Sequence, residues 1–155
     1  MKKLNLKVLI FAFIIVAAVA FLGSIFTSST VKSEWYESIK PGITPPNAAF
    51  PIAWTILFIL IAISLYFAWI NSKRDQKKTI AIVFGINFIL NILWSILFFG
   101  MRNPKAAFIE IIFLWISILS MILVSWKTSR KASLLLLPYL LWVSFAAILN
   151  FLMAF

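Results

Sequence analysis

Five long apolar runs alternate with short polar ones along this chain. The first, Val8 to Phe26, holds no charge and is long enough to cross roughly 30 Å of hydrocarbon as a helix. The others run over residues 51–70, 79–99, 106–126 and 132–154. None alternates apolar and polar positions with period two, so barrel strands are excluded. Helices remain, because every backbone polar group inside lipid needs an internal partner. The pattern predicts an all-α integral membrane protein: one domain over 1–155, folded as a bundle of five transmembrane helices. A cleaved signal peptide is the rival reading of the first run. Its apolar core should span only about 7–15 residues before a small-x-small site, so the run is read as an uncleaved helix.

The stretch between the first two runs breaks the pattern. Thr27 to about Phe50 is read as a loop, and Trp35 to Trp54 within and beside it holds Pro41, Pro45, Pro46 and Pro51, four of the six prolines. Each fixes φ and removes a donor, so the segment resists helix and central strand. Trp35, Tyr36, Phe50 and Trp54 argue against disorder. A stiff, aromatic-rimmed loop between two spans is expected to act as a lid. Pro51 suits the first turn of the second helix, Gly100 and Pro104 mark a turn, and Pro138 is the one expected kink.

Composition supports the membrane class: 64% of residues are apolar and 12% charged, against roughly 45–50% apolar in soluble chains. The net charge of +10 is read as membrane orientation and contact with anionic headgroups, not nucleic acid. Lys2, Lys3, Lys7, Lys73, Arg74, Lys77, Lys78, Lys127, Arg130 and Lys131 fall on one side, and Lys32, Lys40, Arg102 and Lys105 on the other. The positive-inside rule then puts the N-terminus in the cytoplasm and the C-terminus and first loop outside. Cysteine and histidine are absent. That removes disulfides, Cys or His metal sites, thiolate nucleophiles and imidazole bases, and no metal site is expected.

Polar residues inside the spans carry the remaining signal. Asn87, Asn91 and Ser95 are spaced by four and share one helix face, with Trp94 beside them. Tyr139, Trp142, Ala146 and Asn150 form a second face, and Trp54, Phe58 and Ile61 a third. Unsatisfied amides are costly in hydrocarbon, so the asparagines should face the interior, as helix–helix glue or as a pocket wall. Glu110 is the one carboxylate within a span. A proton or ion site is its functional reading; the favoured one is a residue near the interface, paired with Lys105 or Arg102 at a helix N-terminus.

Three patterns resemble the translocator protein family, the tryptophan-rich sensory proteins also known as TspO/MBR or peripheral-type benzodiazepine receptors. They are Trp35-Tyr36 with Lys40-Pro41, Pro45-Pro46, Phe50-Pro51 and Trp54-Thr55; Asn91 to Phe99 (NILWSILFF); and Pro138 to Asn150 (PYLLWVSFAAILN). The resemblance covers Trp35 to the C-terminus, and the first helix agrees only in kind. It implies a five-helix bundle, commonly a homodimer, with a ligand pocket under the first loop. It further implies binding of porphyrins such as protoporphyrin IX and haem, and of benzodiazepine- and isoquinoline-type compounds. By motif the pocket positions are Tyr36, Pro45, Pro46, Trp54, Phe58, Asn87, Asn91, Tyr139, Trp142 and Ala146; periodicity adds Trp94.

The expected function is a bacterial-type membrane receptor or sensor, in the cell membrane, linked to tetrapyrrole metabolism or stress. Its expected partners are a porphyrin-type molecule, the bilayer and a second copy, with no nucleic acid and no required cofactor. The alternatives are light-dependent porphyrin degradation, with the oxidisable Trp54 and Trp142 as catalytic residues, and porphyrin transport. No acid–base pair supports a conventional enzyme. Lys40 or Arg102 is expected to meet propionates, and without His or Cys only Tyr or Met remains for haem iron. The animal sterol motif is missing, since Asn150 is followed by Phe151 to Phe155 with no Tyr or Arg. Ile43 stands where many relatives carry Trp or Phe.

Overall fold

The computed structural model describes residues 4–155; Lys2 and Lys3, counted in the charge balance above, lie outside them. Every regular element among the described residues is helical, and five helices are long and apolar enough to cross a membrane. Helix α1 covers Leu6–Thr30 and a short α2 covers Glu34–Ile39. Helix α3 is Ala49–Asn71, and α4 is Arg74–Ser95 with a π-helical turn, Ile96–Gly100, continuing it. Helix α5 is Pro104–Trp126, α6 Arg130–Leu135 and α7 Leu137–Ala154.

The ends are set by ordinary capping chemistry. Asn5, Ser33, Asn103 and Ser129 each accept a hydrogen bond from a backbone N–H three residues on, satisfying a donor that the helix itself cannot. Pro104 and Pro138 sit in first turns, where the missing N–H costs little. At Pro138 the fifth span is divided rather than only bent: α6 stops at Leu135 and α7 starts at Leu137. A proline cannot bond to the carbonyl four residues back, and its ring crowds that carbonyl.

The first loop departs from its expected form. Helix α1 continues to Thr30, and residues 34–39 form a helix rather than irregular chain. The prolines begin only at Pro41. Upstream of them Ser33 caps, and Glu34 and Glu37 stand in the first turn, where negative charge suits the helix dipole. Helix α4 also begins earlier than its apolar run, at Arg74. Lys and Gln are good helix formers, and Lys77 lies 5.3 Å from the Trp69 ring centre.

The core runs through Ile61, Ile80, Phe84, Ile118, Met121 and Leu136. Buried alanines at 62, 68, 107 and 132 let helices approach closely. The bundle is tight at one end, where α3 packs on α6 and Ser64 donates a 2.8 Å bond to the Ala132 carbonyl. At the other end, beneath the first loop, α3 and α7 touch only sparsely. That divergence makes room for the site.

Candidate functional site

A cavity of about 610 Å³ lies between α1, α3, α4, α5 and α7 at the loop end. Its volume is in the usual range for small-molecule pockets, roughly 300–1,000 Å³. Trp54 and Phe58 from α3, Trp94 from α4, Phe98 and Phe99 from the π-helical turn and Trp142 from α7 give it an aromatic wall. Tyr36, Asn47 and Ala48 close it from the first loop and Phe50 from the first turn of α3, and Gly23, Ser24, Thr27 and Lys32 line the side nearest α1.

The π-helical turn explains how two consecutive phenylalanines both reach inward. Met101 N–H bonds to the Ile96 carbonyl at 2.7 Å, a five-residue closure, and the wider turn brings Phe98 and Phe99 inside together at 2% and 7% exposure. Trp94 stacks on Phe98 with centroids 5.1 Å apart and planes 20° apart. Tyr36 packs on Phe98 and Phe99, and Trp35 meets the edge of Phe98 at 5.9 Å. Thr30 donates to the Phe99 carbonyl at 3.3 Å. The loop is thus anchored on the turn beneath it.

Charge braces the loop from above. Lys40 Nζ lies 2.9 Å from Glu37, whose Oε1 also accepts from Asn47 at 3.4 Å. The bond from Lys40, then that from Asn47, holds the Glu37 carboxyl below the usual carboxylate range. Burial, with a smaller contribution from the neighbouring Glu37 charge, raises the Tyr36 phenol. Arg102 lies over Trp35, 5.8 Å from its ring centre.

Below the cavity a chain of hydrogen bonds crosses three helices. Asn91 donates to Tyr139 Oη at 3.0 Å, Tyr139 donates to Asn87 Oδ1 at 3.3 Å, Asn87 donates to Ser117 Oγ at 2.8 Å, and Ser117 donates to the Leu114 carbonyl. A second chain holds Trp94, whose indole N–H bonds to Asn150 Oδ1 at 3.0 Å while Asn150 donates to the Pro104 carbonyl. These buried amides therefore join α4 to α5 and α7; Asn91 of the first chain and Asn150 of the second lie on the cavity wall, and Asn87 stands behind it.

Of the residues expected at a pocket, Tyr36, Trp54, Phe58, Asn91, Trp94, Trp142 and Ala146 line the cavity. Asn87 and Tyr139 stand behind it, buried in the hydrogen-bonded chain. Pro45 and Pro46 are not on its wall; Asn47 and Ala48 take the loop's share, beside Phe50 of α3. Glu110 departs from its expected pairing. It is 5% exposed and neither carboxyl oxygen has a hydrogen-bond partner. Lys105 lies over Phe155 and Arg102 over Trp35.

The α1 contribution was missed because α1 is apolar on every side. Gly23 and Ser24 fall inside that apolar run, and Thr27 opens the hydroxyl stretch of residues 27–30 that reads as loop. Phe98 and Phe99 depend on the π-helical turn, which no periodicity reveals.

The sequence profile of the TspO/MBR family matches residues 11–155. The chain belongs to the TspO/MBR family. It is 46% identical over 149 residues to the tryptophan-rich protein TspO of Archaeoglobus fulgidus, covering 96% of this chain and 95% of that one. It is 42% identical to the protein of the same name from Chlorobaculum tepidum, over 86% of this chain and 85% of the relative. Similarity reaches the translocator protein of Ovis aries, at 31% identity over 76% of this chain and 72% of the relative. Family membership and five apolar helices make this an integral membrane protein. In this TspO/MBR chain the aromatic cavity gathers residues from all three motifs: Tyr36 and Trp54 from the first, Asn91, Trp94, Phe98 and Phe99 from the second, and Trp142, Ala146 and Asn150 from the third.

Proposed function

We propose that the protein is a membrane receptor for flat, largely apolar ligands of the porphyrin type, protoporphyrin IX and haem, and for benzodiazepine-type compounds. The aromatic cavity beneath the first loop carries this reading. Indole and phenyl faces suit a planar macrocycle. Asn91 supplies a neutral polar edge: its N–H is committed to Tyr139 and its amide oxygen accepts no bond among the described residues. Lys32 lines the α1 side of the cavity and takes the place first expected for Lys40, which is held by Glu37. A cation there suits an acidic substituent on the ligand. The first loop and C-terminus are placed outside the cell on the balance of basic residues. Family relationship to a tryptophan-rich sensory protein from Cereibacter sphaeroides supports a sensing role.

The test is titration of the purified protein with protoporphyrin IX in darkness, read by tryptophan quenching. Saturation at micromolar ligand supports the receptor reading, and linear, unsaturable quenching refutes it. Light-dependent degradation is the second reading, favoured by the placement of both Trp54 and Trp142 in the cavity lining. It requires a new absorbing product on illumination that disappears in Trp142→Phe while dark binding persists.

A further inference from the structure

We propose that apolar ligands reach the cavity sideways, out of the hydrocarbon, through a groove between α3 and α7 whose inner wall is Trp142. The proposal rests on the ligand-binding reading above and adds the route to that site. An open, apolar groove is lined by Ala53, Ile56 and Leu57 on α3 and by Pro138, Leu141 and Phe145 on α7, together with Trp142. Trp142 is the one residue common to the groove and the internal cavity. One indole thus borders both the lipid-facing groove and the ligand space, between two helices that touch only sparsely.

The attachment of that indole differs from that of its neighbours. Trp94 is pinned by its N–H to Asn150, and Trp115 by its N–H to Ser144 at 2.8 Å. The Trp142 N–H makes no hydrogen bond among the described residues. The ring is held by ring contacts alone, edge-on to Phe50 at 5.9 Å and tilted against Phe145 at 6.0 Å. Rotation of such a ring breaks dispersion contacts but leaves no buried donor newly unpaired, so it meets a lower barrier than rotation of Trp94 or Trp115.

The competing route passes under the first loop, beside Ser28 and Lys32. It requires a ligand dissolved in the bilayer to re-expose its apolar faces to water, at about 25 cal/mol per Å². It also requires the loop to leave Phe98 and Phe99. Ile56 and Leu141, at 54% and 71% exposure, already face the lipid side of the groove.

A portal is not part of the bound state, so obstructing it slows arrival and departure together. The protein in phospholipid nanodiscs is mixed with protoporphyrin IX dimethyl ester, a neutral, membrane-partitioned probe, and porphyrin emission anisotropy is followed in time. In the double variant Ile56→Trp, Leu141→Trp, whose positions line the groove and not the cavity, association and dissociation should both slow about tenfold with Kd unchanged. Phe145→Ala removes a ring that holds Trp142 and should speed both rates, again at constant Kd. That second variant carries the test if the double variant fails to fold. Unchanged rates in the variants, or an altered Kd with unchanged association, overturn the proposal. Wild-type protein that binds but whose rates ignore the groove defeats the portal alone. Wild-type protein that never saturates defeats the ligand-binding reading and the portal with it.

Discussion

Replacing Tyr139 by Phe isolates the hydrogen-bonded chain from the packing around it. The ring stays, with its edge contact to Trp54 at 6.1 Å, and only the hydroxyl goes. That hydroxyl accepts from Asn91 and donates to Asn87, and the residue is fully buried. Two polar atoms then lose a partner. In a soluble core each would cost about 1–3 kcal/mol. Hydrogen bonds between membrane helices are weaker, averaging about 0.6 kcal/mol with a maximum near 1.7. Asn91 lies on the cavity wall, where water or ligand can replace the lost partner, whereas Asn87 at 1% exposure has no such recourse. The smaller scale therefore governs, and the expected loss is about 1–2 kcal/mol. At 2–4 °C per kcal/mol for a chain near this size, the thermal midpoint should fall by about 2–8 °C. The assay is thermal unfolding in detergent for wild type, Tyr139→Phe, Asn87→Ala and the double variant. Coupling of at least about 0.5 kcal/mol between the two sites is expected. A neutral Tyr139→Phe, or strictly additive variants, would refute the chain as a source of stability.

Three other outcomes follow from the structure. Glu110 is buried with both oxygens unpartnered, so Glu110→Leu should raise stability by about 1 kcal/mol, because an apolar side chain removes an unmet demand for hydrogen bonds; a lower thermal midpoint counts against this. Trp94→Phe keeps a ring against Phe98 but frees Asn150 Oδ1, and should cost about 1 kcal/mol in the same thermal assay. The Glu37 carboxyl is held below its ordinary range by Lys40 and Asn47. Its contribution to loop closure is therefore present above the unfolded carboxylate pKa and lost as pH falls through the lowered value. Protease susceptibility of residues 40–48 should rise on acidification in wild type, and Glu37→Gln should show the raised susceptibility already at neutral pH; a flat wild-type profile would count against the brace.

The five helices were legible because hydrocarbon imposes a length and a polarity on any chain that crosses it, and the runs from Val8 onward meet both. The interior placement of Asn87, Asn91 and Asn150 was legible for the same reason: an amide cannot face lipid without cost. Which asparagine borders a cavity was not, since Asn87 and Asn91 lie on the same helical stripe and differ only in depth along α4. Helix α2 was hidden by the prolines that follow it, although Ser33 and Glu34 announced its start. Phe98 and Phe99 were hidden more deeply, because the extra residue in the π-helical turn breaks the period on which face assignments rest. The isolation of Glu110 was misjudged for a geometric reason: nearby cations in sequence turned to aromatic rings, Lys105 to Phe155 and Arg102 to Trp35.

The division of the fifth span at Pro138 bears on how such a protein changes over generations. One end of the bundle, where α6 is tied to α3 through Ser64 and Ala132, holds the fold together. The other end, where α7 stands apart from α3, holds the cavity. Substitutions that reshape the ligand wall near Trp142 and Ala146 therefore leave the α3–α6 contact untouched. The cavity end also carries the residues of all three motifs, so a lineage that keeps the motifs keeps most of the wall, and change in ligand should come through lining positions outside them, such as Gly23, Ser24 and Thr27.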